Sequence, residues 1–240
     1  MTHAHPYLDK DHRKIRTLFD GIAPRYDLLN HLLSFNLDHR WRRQAIDVLR
    51  PRAGGHYLDV CCGTGDMAFE LERRVGGGAH VVATDFSVPM LEGSVQKCRD
   101  RAGTSPTFLA GDTLRLPFAD GTFDGVTVAF GIRNVENLTG AAREIARVLR
   151  PGGTLAVLEF TPVQRRWLRP LFHLYCHGVV PWVGNLVSRS RDRAYSYLQQ
   201  SIDRWPTAPD FADQLRAAAF ASVDWRILFP GNVALHWGVR

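Results

Sequence analysis

Residues 56–75 constrain the fold more tightly than any other stretch of the chain. His56-Tyr57-Leu58-Asp59-Val60 is a short apolar strand with an acid near its end. It runs into a loop of small residues, Cys61-Cys62-Gly63-Thr64-Gly65-Asp66. The periodicity of Met67, Ala68, Leu71 and Val75 then reads as a helix. Strand, glycine turn and helix N-terminus in this order let backbone N–H groups approach a bulky polar ligand. A second apolar strand, 79–84, leads to Asp85, 20 residues after Gly65. A carboxylate there can accept from both hydroxyls of a ribose. The ligand class implied is nucleotide-like.

The same alternation continues downstream. Helix 87–102, strands 106–111 and 122–129, helix 138–149 and strand 153–160 follow in turn. Repeated βα units predict a parallel sheet covered on both faces, a doubly wound α/β fold. Upstream, residues 9–50 read as helical. Ile15, Leu18, Phe19 and Ile22 share one face, and Pro24 restarts the pattern with Leu28, Leu29, Leu32 and Leu33. A third helix carries Trp41, Ala45, Ile46 and Leu49 and stops before Pro51. The stretch 161–190 is interrupted by Pro162, Pro170 and Pro181, and helices at 192–203 and 208–219 follow. Strand-like runs at 222–229 and 233–239 flank Pro230-Gly231-Asn232, a strong turn signal. A terminal hairpin of that kind adds an antiparallel strand to a parallel sheet. The expected organisation is a helical cap over 1–50 and a ligand-binding domain over 51–240. Residues 161–205 form a helical insertion in that domain.

Composition narrows the setting. With 240 residues and 45% hydrophobic content, the chain can bury a full core. Cys61, Cys62, Cys98 and Cys176 form no C-x-x-C pair and no ligand spacing with histidine. That pattern fits a reducing, cytoplasmic compartment and no bound metal. Residues 1–16 are polar and charged, unlike a secretory signal, and no apolar run is long enough to span a bilayer. A net charge of +6 favours an acidic partner: nucleic acid, an anionic membrane surface or a phosphorylated substrate. The basic residues concentrate at Arg40 to Arg52 and at Arg165 to Arg193.

Gly63-Thr64-Gly65-Asp66-Met67-Ala68 formally satisfies the dinucleotide pattern G-x-G-x-x-A, so NAD must be weighed against S-adenosylmethionine (SAM). Three features favour SAM. Asp59 precedes the loop, where it suits backbone amides or an ammonium group and would repel a pyrophosphate. Gly111-Asp112-Thr113 ends a strand ahead of Leu116-Pro117-Phe118, where a carboxylate can bond an adenine amine in an apolar slot. Arg150-Pro151-Gly152-Gly153 joins a helix to a fifth strand, with the hairpin beyond. Together, residues 56–160 and the hairpin resemble the class I SAM-dependent methyltransferases. That resemblance implies a seven-stranded sheet whose last strand is antiparallel.

The flanks narrow the resemblance further. Phe19-Asp20-Gly21-Ile22-Ala23-Pro24-Arg25-Tyr26-Asp27-Leu28-Leu29-Asn30 is similar to the N-terminal signature of the UbiE/MenG quinone C-methyltransferases. So are Phe130-Gly131-Ile132-Arg133-Asn134-Val135, Leu158-Glu159-Phe160 and Val233-Ala234-Leu235-His236. The resemblance implies methyl transfer to a ring carbon of a demethylated isoprenoid quinol, a naphthoquinol or a benzoquinol. It carries SAM contacts onto Thr64, Asp85, Asp112 and Thr113, in the loop that also holds Gly63 and Gly65. Cys61 departs from the family, standing where the first loop glycine is usual. Asp112 departs where relatives often have Asn, and Ala129 where some have Ser.

The chemistry asks for a donor aimed at a quinolate oxygen, because an aromatic carbon is a poor nucleophile until a ring hydroxyl ionises. Arg133 lies just past the fourth strand and is always charged, so it is the first candidate. The competing reading of Arg133 is a structural ion pair with Glu136 or Glu159. Asn134 either orients the ring oxygen or satisfies the loop backbone. Tyr26, Asp27 and His31 are candidates for the ring-proton base, with His173, His177 and His236 weaker ones. Trp167, Phe172, Tyr175 and Trp182, bracketed by arginines, suit either an interfacial element or an ordinary helical cap. No RNA-binding motif accompanies them. The partners expected are a prenylated quinol and peripheral contact with the inner face of a membrane. Oligomeric state stays open, a homodimer included. Two other functions stay open: O- or N-methylation of another small molecule, and SAM binding at a membrane surface without catalysis.

Overall fold

The strands are β1 (His56–Val60), β2 (His80–Asp85), β3 (Thr107–Ala110), β4 (Phe123–Ala129), β5 (Leu149–Phe160), β6 (Ser222–Leu228) and β7 (Val233–Val239). They form one sheet in the order β3-β2-β1-β4-β5-β7-β6 in the computed structural model, which describes residues 10–23, 26–101, 105–163, 169–174 and 193–240. Pairings from β3 through β5 are parallel, and β7 runs antiparallel to both β5 and β6. This is the doubly wound, seven-stranded arrangement expected from the sequence. Tyr57, Leu58, Asp59 and Val60 are all buried, as in a strand covered on both faces.

The helices among the described residues are α1 (His12–Ile22), α2 (Tyr26–Leu33), α3 (Leu37–Leu49), α4 (Asp66–Val75), α5 (Val88–Arg99), α6 (Leu138–Val148), α7 (Arg169–Leu174), α8 (Arg193–Asp203) and α9 (Ala208–Ala218). Their apolar faces divide the core in two. On one side Ile145 of α6 and Phe211 and Leu215 of α9 pack with Leu58, Val126 and Leu155. On the other, Trp41 and Ile46 of α3 and Met67 and Leu71 of α4 pack with Leu158 and Leu235. Full burial of each such side chain contributes roughly 1.5–3 kcal/mol. A smaller cluster of Ile15, Leu18 and Tyr197 ties α1 to α8.

Helix starts follow local chemistry. Asp11 accepts from the N–H groups of Arg13 and Lys14, and Ser87 from that of Met90. Boundaries depart from the sequence reading in several places, of which three are clearest. Helix α1 begins at its Asp11 cap rather than at 9. Strand β3 spans only four residues. Strand β5 starts at Leu149, because Leu149 pairs with Phe123 ahead of an irregularity between Phe123 and Gly125. Most of the expected insertion, including Trp167, Tyr175 and Trp182, lies outside the described residues.

Candidate active site

The carboxyl ends of β1, β2 and β4 open onto a cavity lined by Gly63, Asp85, Asp112, Thr113, Gly131 and Asn134, among others. Open α/β sheets bind ligands at this edge. Asp85 closes β2, and its two oxygens accept different backbone amides. The Gly63 N–H donates to Oδ2 at 2.8 Å and the Ser87 N–H to Oδ1 at 2.9 Å. Burial pushes this carboxyl up to about 6, against those amides. Asp112 is exposed at the rim, where its Oδ1 accepts from the Leu114 N–H at 2.9 Å. Thr113 is buried, with its hydroxyl 3.3 Å from the Cys61 Sγ.

Cys61 sits in the left-handed region with φ +53°, where glycine is at ease and a larger side chain is not. Burial pushes its thiol up to about 12, so it is not a nucleophile near neutral pH. A Cβ on Gly131 would lie 2.3 Å from the Cys61 Cβ. The two loops therefore pass in near-backbone contact, and only a glycine fits at 131.

Three predicted contacts do not reach this cavity. Asp59 is fully buried in β1, where its Oδ1 accepts from the Thr127 hydroxyl at 2.8 Å. Its Oδ2 has no hydrogen-bond partner among the described residues, and burial pushes the carboxyl up to about 7. Thr64 is also buried, and its hydroxyl donates to Asp27 of α2. Gly65 caps α4 at φ +85°, where a Cβ would lie 2.8 Å from the Phe108 ring. These three shape the loop, and Gly63 alone of its glycines lines the cavity.

A second, more apolar cavity lies alongside, walled in part by Leu29, Leu33, Trp41 and Phe160. It shares Phe19, Tyr26 and Phe130 with the first. Arg133 and Asn134 sit on a single short turn, Ile132–Asn134, but line different cavities: Arg133 the second and Asn134 the first. The Arg133 Nη1 donates to Glu159 Oε1 at 2.7 Å and to the Phe130 carbonyl at 2.6 Å. Arg133 is thus an ion-paired residue, with Glu159 the partner rather than Glu136. The Asn134 Oδ1 accepts from the Tyr197 hydroxyl at 2.8 Å. Burial pushes that phenol up to about 12. Burial likewise raises the Tyr26 phenol, against the nearby Arg133 charge, which keeps it protonated near neutral pH.

Among the residues of the second cavity that sequence reasoning missed are Arg42 and Asn232. Arg42 Nε, Arg133 Nε and Asn232 Oδ1 are buried without hydrogen-bond partners among the described residues. Unmet polar atoms are costly in an otherwise apolar wall, and ligands or water commonly satisfy them. Arg42 lies 3.7 Å from Asp38 and 3.6 Å from Asp66. Arg42 stands out in the sequence only as one arginine of the basic run from Arg40 to Arg52, and Asn232 only as a turn residue.

The other base candidates are engaged elsewhere. Asp27 binds Lys97 at 2.6 Å, and Lys97 also binds Asp66 at 2.7 Å. His31 Nδ1 lies 2.8 Å from Asp38, which also accepts from Ser34 at 2.7 Å. His31, Asp38 and His39 bring ligand atoms within 4.8 Å of one another, a grouping able to hold a cation. His236 lines neither cavity. Its Nε2 meets the Ala208 carbonyl at 2.9 Å, and burial pushes the imidazole down to about 4. It is a core residue of β7. The side chains of His173 and His177 lie outside the described residues. No helix among the described residues is long and apolar enough to cross a membrane.

Comparison with known proteins agrees with this geometry. A demethylmenaquinone methyltransferase of Thermus thermophilus is 45% identical over 223 residues, spanning 93% of this chain and all of that protein. One from Mycobacterium marinum is 42% identical over 235 residues, or 97% of this chain and 96% of that protein. The solved structure of a SAM-dependent methyltransferase from Aquifex aeolicus superposes with a TM-score of 0.60 at 17% identity. It covers 82% of this chain and 88% of its own. The ubiE/COQ5 methyltransferase family is matched over residues 8–240, and the chain belongs to that family.

Proposed function

We propose that this protein transfers a methyl group from S-adenosylmethionine to a ring carbon of demethylmenaquinol, giving menaquinol. The observation that carries the reading is the shared wall of the two cavities, Phe19, Tyr26 and Phe130, which sets a polar site beside an apolar one. Adjacent sites for a donor and an acceptor are what a direct displacement needs. The name of the 45% identical relative supports the choice of acceptor.

The first cavity suits the donor. When bound there, S-adenosylmethionine supplies an electrophilic methyl group. Asp85 would accept from the ribose hydroxyls, each carboxylate oxygen having a lone pair beyond the one taken by its amide. Asp112 and Thr113 would take the adenine edge, and Gly63 lets the backbone come close. The tight approach of Cys61 to Gly131 fits a cradle that a Cβ would fill. Asp59, Thr64 and Gly65 act by holding the loop in shape.

The second cavity suits the quinol ring. Arg42 Nε and Arg133 Nε offer donors for ring oxygens, and Asn232 Oδ1 offers an acceptor. The Glu159 carboxylate fixes the Arg133 fork, so Arg133 favours the quinolate without having to reorganise. Tyr26 is a neutral phenol facing both cavities, and its role is a hydrogen bond to the ring rather than proton removal. The ring hydroxyl gives up a proton, the C–H ring carbon beside it takes the methyl as the methyl–sulfur bond breaks and a neutral thioether leaves, and loss of that carbon's own proton restores aromaticity.

Residues 1–50 act as a cap on the domain formed by 51–240, with 161–205 an insertion facing substrate and membrane. Peripheral contact with the inner face of a membrane follows from an acceptor that resides in lipid. The site residues named here all come from one chain.

Incubation with S-adenosylmethionine and chemically reduced demethylmenaquinone, read by mass spectrometry, tests the proposal. The expected product is heavier by one methylene, and the methyl survives conditions that cleave ethers and amines. Loss of the methyl under those conditions would point to O- or N-methylation instead. No product from any prenylated quinol, despite tight SAM binding, would overturn the enzyme reading.

A further inference from the structure

A third cavity adjoins the acceptor cavity on the side away from the donor. The two share Leu33, Ser34, Trp41, Phe172 and Asn232, just as the acceptor and donor cavities share Phe19, Tyr26 and Phe130. The third cavity continues to Phe35, Val163 and the Pro230-Gly231 turn between β6 and β7. Phe35, on its wall, is 71% exposed, and Phe229, beside the turn, is 73% exposed. Exposed apolar side chains gathered at one place, rather than scattered singly, mark a surface that meets an apolar partner.

The backbone at this mouth is held in place. Phe35 and Asn36 both take positive φ, +52° and +59°, a conformation that costs a bulky residue free energy. The Trp41 indole N–H donates to the Phe229 carbonyl at 2.8 Å, fixing the turn against α3. The two aromatic side chains therefore stand at the mouth on anchored backbone rather than on free loops.

We propose that this third cavity carries the isoprenoid tail of the acceptor and releases it to the outside between Phe35 and Phe229. The inference rests on the acceptor being a prenylated quinol. Polar atoms of the ring stay at Arg42, Arg133 and Asn232, while the hydrocarbon passes Leu33 and Trp41. The tail leaves through the α2–α3 turn and the β6–β7 turn, a route that does not need residues 175–192.

Two experiments on the full-length enzyme test it. Val163→Trp narrows the third cavity without touching the other two. It should raise KM for a long-tailed quinol about tenfold, the scale set by losing a few methylenes of buried contact, and change KM for a single-isoprene quinol by less than about twofold. Equal loss with both substrates, or no loss with either, overturns the route. A long-tailed quinone with a photoreactive group at its far end gives the second readout on the unmodified protein. Label at Phe35 and at 229–231 supports the route, and label confined to 175–192 overturns it. If the wild-type enzyme methylates no prenylated quinol at all, the proposed function fails, and the tail route with it. Turnover with label elsewhere fails the route alone.

Discussion

One carboxylate holds both ends of Arg133: Glu159 Oε1 receives the guanidinium at 2.7 Å, and Oε2 receives the arginine's own backbone N–H at 3.3 Å. Glu159 is fully buried, and Arg133 is nearly so. Removing one partner of such a pair strands a buried charge. Glu159→Ala should therefore lower unfolding free energy by about 3–5 kcal/mol, measured by urea denaturation. Arg133→Gln strands Glu159 instead and should cost stability on the same scale, about 3–5 kcal/mol. It should lower kcat at least tenfold while SAM affinity by calorimetry changes less than about threefold, as expected for a group that acts on the acceptor alone.

Asp85 yields a pH prediction. Its folded pKa is raised to about 6, above the unfolded value near 4. The folded protein thus binds a proton between those pH values that the unfolded chain does not. For this group alone, stability is present at low pH and declines as pH rises through that window. A ligand whose hydroxyls donate to the ionised carboxylate has the opposite preference. SAM affinity should fall by up to about tenfold per unit as pH drops below 6, and Asp85→Asn should bind weakly with no such slope. A matching slope in the variant would remove Asp85 from the donor site.

The contact between Cys61 and Gly131 makes a paired prediction. Gly131→Ala should destabilise the fold by more than about 2 kcal/mol and weaken SAM binding, since its Cβ would collide with that of Cys61. Cys61→Gly relaxes the left-handed strain but frees the unfolded chain, so alone it should stay within about 1 kcal/mol of wild type. Combined with Gly131→Ala, it should recover most of the lost stability. A thermal-shift series on the two single variants and the double variant measures this coupling.

Much of this was readable in the chain, and the limits have a physical pattern. The βα alternation from 56 to 160 and the hairpin around Pro230-Gly231-Asn232 follow from local periodicity and turn chemistry, and the strand order follows from the fold class. Gly63, Asp85, Asp112 and Thr113 face one cavity because loop position at a sheet edge is itself a local property. The directions of Thr64 and Asp59 were not legible, since they depend on what stands opposite: Asp27 lies 37 residues from Thr64, and Thr127 lies 68 from Asp59. The Arg133–Glu159 pair was visible only as one option of two. Arg42 and Asn232 were invisible as site residues, because an unmet atom shows itself only when its neighbours are in place.

His236 supplies a control that separates structure from chemistry. Its imidazole is held neutral by burial, with a pKa near 4 against 6.5 unfolded. The unfolded chain therefore takes up a proton first as pH falls, and stability from this group is lost between about pH 6.5 and 4. His236→Phe should lower stability by about 1–3 kcal/mol at pH 7.5, through the lost bond to the Ala208 carbonyl. Turnover per folded molecule should be unchanged, and the melting curve should depend less on pH across that window. A large drop in kcat with an intact melt would return His236 to the site.

Strand β7 lies inside the sheet, between β5 and β6, although it is the last strand in chain order. During synthesis, β6 therefore has no hydrogen-bonding neighbour until residues 233–239 have left the ribosome. The apolar edge of β5 must wait just as long. A nascent chain of this protein carries an open sheet until its final strand arrives, and that interval is when it most needs protection from aggregation.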